Sequence, residues 1–212
     1  MAQAPPPKAT PKSKPQVKPQ AKSPQAKAPP AKGAPAATAE QKAIAKIEAA
    51  GGSVRRIAQN DDRVEIAFHL VSPPATDEQV APIRDVSKVV SLHLGGTAIT
   101  DKSLAVVAML TGLATLHLEK TKVTDAGLKS LANLKDLTYL NLYGAAVTDA
   151  GLAPLKSLAK LQKLYVWQTK VTKAGADELK KAIPSLHVEM GWEEPPKPPP
   201  PPEKKAEEKK QP

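Results

Sequence analysis

Eight of the ten His, Tyr, Trp and Phe residues in this chain fall on a few positions of one recurring pattern. These are side chains that bind metals, exchange protons or grip ligands. His69, His93 and His117 follow one another at steps of 24. Neighbouring parallel strands lie about 4.8 Å apart, close enough for two equivalent imidazoles to share one metal, and Glu119 would add a carboxylate on the same face. A flat ladder, however, supplies neither convergent ligands nor the outer groups that orient them. No metal and no cofactor are therefore expected, and the three histidines stand only as candidate ligands. The same rings offer a pH-responsive surface, in which protonation near about pH 6 to 6.5 would stack positive charge against a partner. Surface histidines without a task are the plainest alternative.

Tyr139, Tyr143, Tyr165 and Trp167 offer a different chemistry. Tyr and Trp give large contact area at small entropic cost and concentrate at binding hot spots. They are the expected anchors for a protein or peptide partner, with His93, His117, Asn141 and Glu119 supplying polar selectivity. Two further roles fit the same rings. Tyr is a favourable strand residue, and aromatic neighbours on adjacent strands stabilise a sheet by a few tenths to about 1 kcal/mol per pair without any ligand. The chain's own Pro195 to Pro202 could also stack on Tyr143, Tyr165 and Trp167.

Catalytic signatures are missing from the sequence. It contains no GxSxG elbow, no glycine-rich phosphate loop ending in Lys-Ser or Lys-Thr, and no HExxH. Ser91 beside His93 has no evident orienting carboxylate. The Thr-Asp pairs read as helix caps, and a non-enzymatic role is expected.

The elements that position these residues follow from the apolar pattern. Phe68, Leu92, Leu116, Leu140, Leu164 and Val188 recur every 24 residues, and so does a second series two positions on, Leu70, Leu94, Leu118, Leu142, Val166 and Met190. Each unit thus carries an apolar-x-apolar pair of strand type, whose middle residue must point the other way. That places Ser91, His93, Gly95; Thr115, His117, Glu119; Tyr139, Asn141, Tyr143; Lys163, Tyr165, Trp167; and His187, Glu189, Gly191 on one outward face, with Ala67, His69 and Val71 from the entry strand. After each strand, Thr100-Asp101, Thr124-Asp125 and Thr148-Asp149 open a helical turn, with Thr as cap and Asp complementing the positive helix end. Leu128, Leu131 and Leu134 continue it at helical spacing, and Thr76 to Gln79 has capping-box form. A unit of strand, turn and helix cannot bury its apolar side alone, so stacked copies must share one core.

The strings TKVTDAGLKSL from Thr121 and AAVTDAGLAPL from Ala145, each preceded by LxxLxL, resemble leucine-rich repeats. They are similar to the bacterial 24-residue variety with a TDAGL signature, itself akin to the cysteine-containing, ribonuclease-inhibitor-like repeats. The resemblance covers roughly Val64 to Met190. It implies an α/β leucine-rich-repeat solenoid, a short horseshoe with parallel strands on a concave face that binds other proteins and helices on the convex face. Thr97, Thr121, Ala145 and Thr169 stand where relatives carry an Asn or Cys ladder, so backbone bonding at that corner should be rearranged. Thr172-Lys173 and Ala176 mark the last copy as a terminal one.

The expected organisation is a disordered Pro/Ala/Lys-rich arm over 1–38, an N-terminal cap over 39–63, about five to six repeats over 64–191, and a disordered Pro/Lys/Glu-rich tail over 192–212. In the cap, Ile44 and Ile47 lie at helical spacing and Gly51-Gly52 stop the helix. Val64 to Leu70 alternate as an edge strand longer than any internal one. Near the carboxyl end, Pro184 terminates a helix from about Ala174, and Trp192 is placed to cover the final strand.

Charge is concentrated at the amino end. Met1 to Thr38 hold ten of the 23 prolines and seven lysines without one acidic residue, so they carry 7 of the formal +10. Lysines 8, 12, 14, 18, 22, 27 and 32 make nucleic acid or a cell-envelope polymer the alternative partner, bound by counterion release. No aromatic interleaves them to stack on bases. The absence of cysteine excludes disulfides and thiolate metal sites. No run reaches the roughly 18 to 20 apolar residues that a membrane helix needs. Ala2-Gln3-Ala4 has the A-x-A form of a cleavage site, so the default expectation of a cytoplasmic protein gives way to an exported one if a leader precedes it. Partner identity and oligomeric state are not written in the sequence.

Overall fold

Alternating apolar residues make short strands, and the Thr-Asp pairs that follow turn each strand into a helical segment. The computed structural model describes residues 38–69 and 71–191. The lysine-rich arm, the A-x-A box, Leu70, Trp192 and the proline-rich tail lie outside them. Seven strands form one sheet in chain order: β1 Ser53–Arg56, β2 Val64–Ala67, β3 Val89–His93, β4 Thr115–His117, β5 Tyr139–Asn141, β6 Lys163–Tyr165 and β7 His187–Glu189. β1 is antiparallel to β2, and every later pair is parallel. Helix α1 (Ala39–Ala49) precedes the sheet, and α2 (Asp77–Val80), α3 (Asp101–Val107), α4 (Asp125–Leu128), α5 (Asp149–Leu152) and α6 (Lys173–Ala182) alternate with its strands. This is the α/β leucine-rich-repeat solenoid that the sequence implies. Among the described residues no helix is long and apolar enough to cross a membrane.

The core is a continuous column of leucines. Leu92, Leu116, Leu140 and Leu164 are fully buried on successive strands, and Leu104, Leu128, Leu131 and Leu155 meet them from the helical side, also fully buried. Each unit buries its apolar face only against its neighbours, as a repeat array requires. The helical side is tighter than expected: after the single turns of α4 and α5 the chain winds into 3-10 form over Lys129–Asn133 and Ala153–Ser157. At the amino end, Thr38 caps α1 in a reciprocal box with Gln41. Glu40 then reaches Ser87, accepting from its N–H at 3.0 Å and its hydroxyl at 2.7 Å.

Two expectations about local chemistry are revised. The Asp of each Thr-Asp pair is a staple between repeats. The Asp125 carboxylate accepts the N–H of Thr148 at 2.7 Å and its hydroxyl at 2.6 Å, and Asp77, Asp101 and Asp149 do the same for Thr100, Thr124 and Thr172. The Gly three residues after Thr makes room for it: a Cβ on Gly151 would collide with the Asp125 carboxylate, and Gly127 and Gly175 stand likewise to Asp101 and Asp149. The missing Asn or Cys ladder is replaced locally. Thr97, Thr121 and Thr169 donate to the carbonyls of Leu94, Leu118 and Val166, three residues back, and Ala145 simply packs.

β2 departs from expectation in length and register. It has four residues against five in β3, and β1 holds the sheet edge outside it. A shift between Val64 and Glu65 pairs Glu65 with Ser91 and Ala67 with His93. The offset to β3 is therefore 26 residues, where later strands repeat at 24.

Candidate recognition surface on the open strand face

The register sets the open face in columns. One runs Glu65, Ser91, Thr115, Tyr139, Lys163 and His187, and the next runs Ala67, His93, His117, Asn141, Tyr165 and Glu189. A third column, Gly95, Glu119, Tyr143 and Trp167, follows the strands. Its backbone is clamped by continued bonding: Gly96 N–H to Glu119 O at 2.7 Å, Lys120 N–H to Tyr143 O at 2.7 Å, and Gly144 N–H to Trp167 O at 3.0 Å. Residues 96, 120, 144 and 168 all turn with positive φ, between 53° and 70°, so the column ends in the same tight bend each time.

The entry-strand shift rearranges what the 24-residue step brings together. His69 belongs beside Gly95 and not in line with His93. The His69 and His93 rings are tilted, with centroids 5.6 Å apart, whereas His93 and His117 stack at 4.1 Å and 15°. Val71, expected on the face, packs against the core, and Glu65 takes a face position that 24-residue spacing did not assign. The sequence signal for this insertion was the Ser72-Pro73-Pro74 segment, where the chain needs two more residues to pass from Ile66 to Thr76 than from its strand partner Leu92 to Thr100.

Aromatic contact runs diagonally across the columns. His117 meets Tyr139 at 4.8 Å, and Tyr139 meets Tyr165 at 5.4 Å. Tyr143 and Trp167 form a separate stacked pair at 5.2 Å and 24°, with the Lys120 ammonium 5.4 Å from the Tyr143 centroid. Trp167 is 48% exposed, an unusual state for an indole with a rigid backbone beneath it. Burial with Tyr165 and Glu119 nearby raises the Tyr139 hydroxyl above its ordinary pKa. Asn141 bonds along its own chain: its Oδ1 accepts the Tyr143 N–H at 3.0 Å and fixes the chain that presents the ring.

The polar end of the face is a charge cluster. Burial, then the neighbouring His117, push His93 below the usual imidazole pKa, against the pull of Glu65 and Glu119. Burial works to raise Glu119, but the imidazoles of His117 and His93 outweigh it and hold the carboxyl below its usual range. Glu119 Oε2 lies 3.5 Å from His117 Nδ1 and has no hydrogen-bond partner among the described residues. A metal site would need nitrogens aimed at one point, whereas stacked rings aim theirs in parallel. Among the described residues no three His, Cys, Asp or Glu side chains converge in that way. Ser91 Oγ lies 3.2 Å from His93 Nε2, but Glu65 approaches that same nitrogen, at 3.6 Å. A nucleophile and its base need the carboxylate on the opposite ring nitrogen.

No family model matches the chain, and no curated protein matches it. Solved structures match at low identity. An internalin of Listeria monocytogenes is 20% identical over 54% of this chain and 32% of that one, with a TM-score of 0.46. A leucine-rich-repeat protein of Leptospira interrogans is 21% identical over 52% of this chain and 27% of that one, at 0.43. The leucine-rich-repeat ectodomain of an Arabidopsis thaliana receptor kinase is 16% identical over 72% and 91%, at 0.47. The chain thus spans about a third or less of the first two proteins.

Proposed function

We propose that the open strand face, the concave side of the implied horseshoe, binds a protein or peptide partner. Trp167 and Tyr143 are its central anchors, with Tyr139 and Tyr165 beside them and His93, His117 and Glu119 selecting polar groups. Asn141 contributes by holding Tyr143 in place. The observation that carries this reading is the Trp167–Tyr143 pair: a half-exposed indole stacked on a phenol, both presented by hydrogen-bonded backbone. Such a pair loses little entropy when a partner covers it, which is what makes Trp and Tyr effective anchors. If the rings served only the sheet, the Trp167 indole would be expected to be more deeply covered by its neighbours.

The test is a displayed library of random peptides panned on the full chain. Peptides enriched on the parent should lose at least about thirtyfold in affinity for Tyr143→Ala/Trp167→Ala, the scale of a hot-spot loss. Met109→Ala, exposed in the turn after α3, should leave them unaffected. Circular dichroism shows that the double variant is folded. Enriched peptides that bind the double variant as well as the parent would sink the proposal.

A further inference from the structure

The two edges of the sheet are built differently. At one edge β1 carries the exposed Arg55 and Arg56, like charges of the kind that keep an edge strand from pairing with its own copy. Among the described residues no strand lies beyond β7 at the other edge. There the chain reads His187-Val188-Glu189, an imidazole and a carboxylate on either side of an apolar residue.

The backbone of β7 is divided between its two sides. His187 donates its N–H to Gln162 O at 2.7 Å, and Glu189 O accepts the Val166 N–H at 2.9 Å, so both residues turn their peptide groups towards β6. Successive residues of a strand alternate, so Val188 turns its N–H and its C=O outward together. That is one half of an antiparallel hydrogen-bonded pair.

We propose that β7 pairs antiparallel with β7 of a second copy of this chain, about a two-fold axis through Val188. The register is limited from both ends. Leu186 already gives its N–H to Ile183 O at 3.0 Å and Pro184 has none to give, which bars an axis at Leu186. Gly191 turns with a φ of +82°, which bars one at Met190. Centred on Val188, the two valines exchange both bonds and each Met190 N–H reaches the other copy's Leu186 O, a ladder of about four bonds.

Charge fits the same axis. His187 faces Glu189 of the second copy at the non-hydrogen-bonded positions, where side chains approach most closely. Both are on the open face and meet within one chain, Nε2 to Oε1 at 2.6 Å, so the two-fold sets four alternating groups together. The strand inside extends the match: Lys163 stands beside His187 and Tyr165 beside Glu189, so the cationic row of each copy runs into the acidic row of the other. Leu186 and Val188 are already buried, so little apolar surface is gained. The pair therefore belongs with weak, transient contacts, with a Kd on the order of 0.1 mM. It is independent of the recognition reading above.

The test is sedimentation equilibrium of the full-length chain between about 10 and 500 µM, either side of that Kd. The parent should pass from one chain towards two. Across the axis, His187→Glu sets carboxylate against carboxylate and Glu189→Lys sets ammonium against imidazole. Each should weaken association at least about tenfold. An equimolar mixture of the two variants restores opposite charges at both places, as does the double variant His187→Glu/Glu189→Lys, and both should associate as the parent does. A nitroxide on Ser185→Cys reads the register, since the chain has no other cysteine. Two labels should lie about 20 Å apart, roughly six strand steps of about 3.4 Å. A parent that stays a single chain throughout overturns the proposal, as do single variants that associate like the parent or labels more than about 35 Å apart. Species that grow past two chains overturn it too, because they would place β1 of another copy on this edge.

Discussion

His93 shows how a single residue responds to its place on the face. Its ring is stacked on His117, and His69, Glu65 and Glu119 complete the charges around it. Burial and the neighbouring imidazole favour the neutral form, so the folded pKa lies below the unfolded value of about 6.5. A depressed histidine binds fewer protons folded than unfolded. Its stabilising contribution is therefore complete above the unfolded pKa and disappears as pH falls through the folded one. Urea midpoints should thus drop between about pH 7.5 and 5.5 in the parent, and the drop should shrink in His93→Phe, which keeps the ring stack without the proton. An equal drop in both proteins would remove His93 as the source. At this scale the sequence placed the rings on the face and missed their company. His93, His117, Tyr139, Tyr165 and Trp167 are where 24-residue spacing places them, but the diagonal contact from His117 to Tyr139 and the bond from the Tyr143 N–H to Asn141 depend on rotamers that spacing does not specify.

Between elements, the decisive contacts are the aspartate staples, and their strength differs along the array. Asp125 holds Thr148 through two charge-assisted bonds in a half-buried setting, while Asp149 makes the same pair to an exposed Thr172. Removing an acceptor costs most where the abandoned N–H is shielded from water. Asp125→Ala should cost about 1.5 to 3 kcal/mol in urea unfolding, and Asp149→Ala clearly less. Equal costs would mean that the staple acts only as a helix-end charge, which is how the Thr-Asp pair reads from sequence alone. That misreading has a physical origin: a capping Thr and an acidic first turn explain the motif locally, so nothing within one copy demands the contact to the next. Only Gly127, Gly151 and Gly175 hinted at it, each leaving space for a carboxylate 26 residues earlier in the chain. The register of β2 was hidden similarly, because its apolar alternation fits offsets of 24 and 26 equally well. The two prolines after it were the only sign of added length.

Taken as a whole, the molecule is an array whose copies are interchangeable where the staples allow it. Excising Thr121 to Gly144 joins Lys120 to Ala145 and presents Thr148 and Gly151 to Asp101, restoring the pattern of bond and vacancy that Thr124 and Gly127 now provide. Stability in such arrays is a sum of unit and neighbour terms, so losing one internal copy should weaken the fold without abolishing it. The shortened chain should unfold cooperatively, with its denaturant slope reduced by roughly a sixth, the share of one strand among β2 to β7. A shorter excision of half a repeat, Thr121 to Ala132, sets strand positions against helical ones and should leave no cooperative transition. If both deletions unfold alike, the copies are not independent units. The full-repeat excision also separates scaffold from surface, because it removes Tyr139 and Tyr143 while Trp167 remains with the core beneath it. A folded product that no longer retains the panned peptides would place recognition in the paired rings. Retention at parental affinity would place it in Trp167 and the strands beyond.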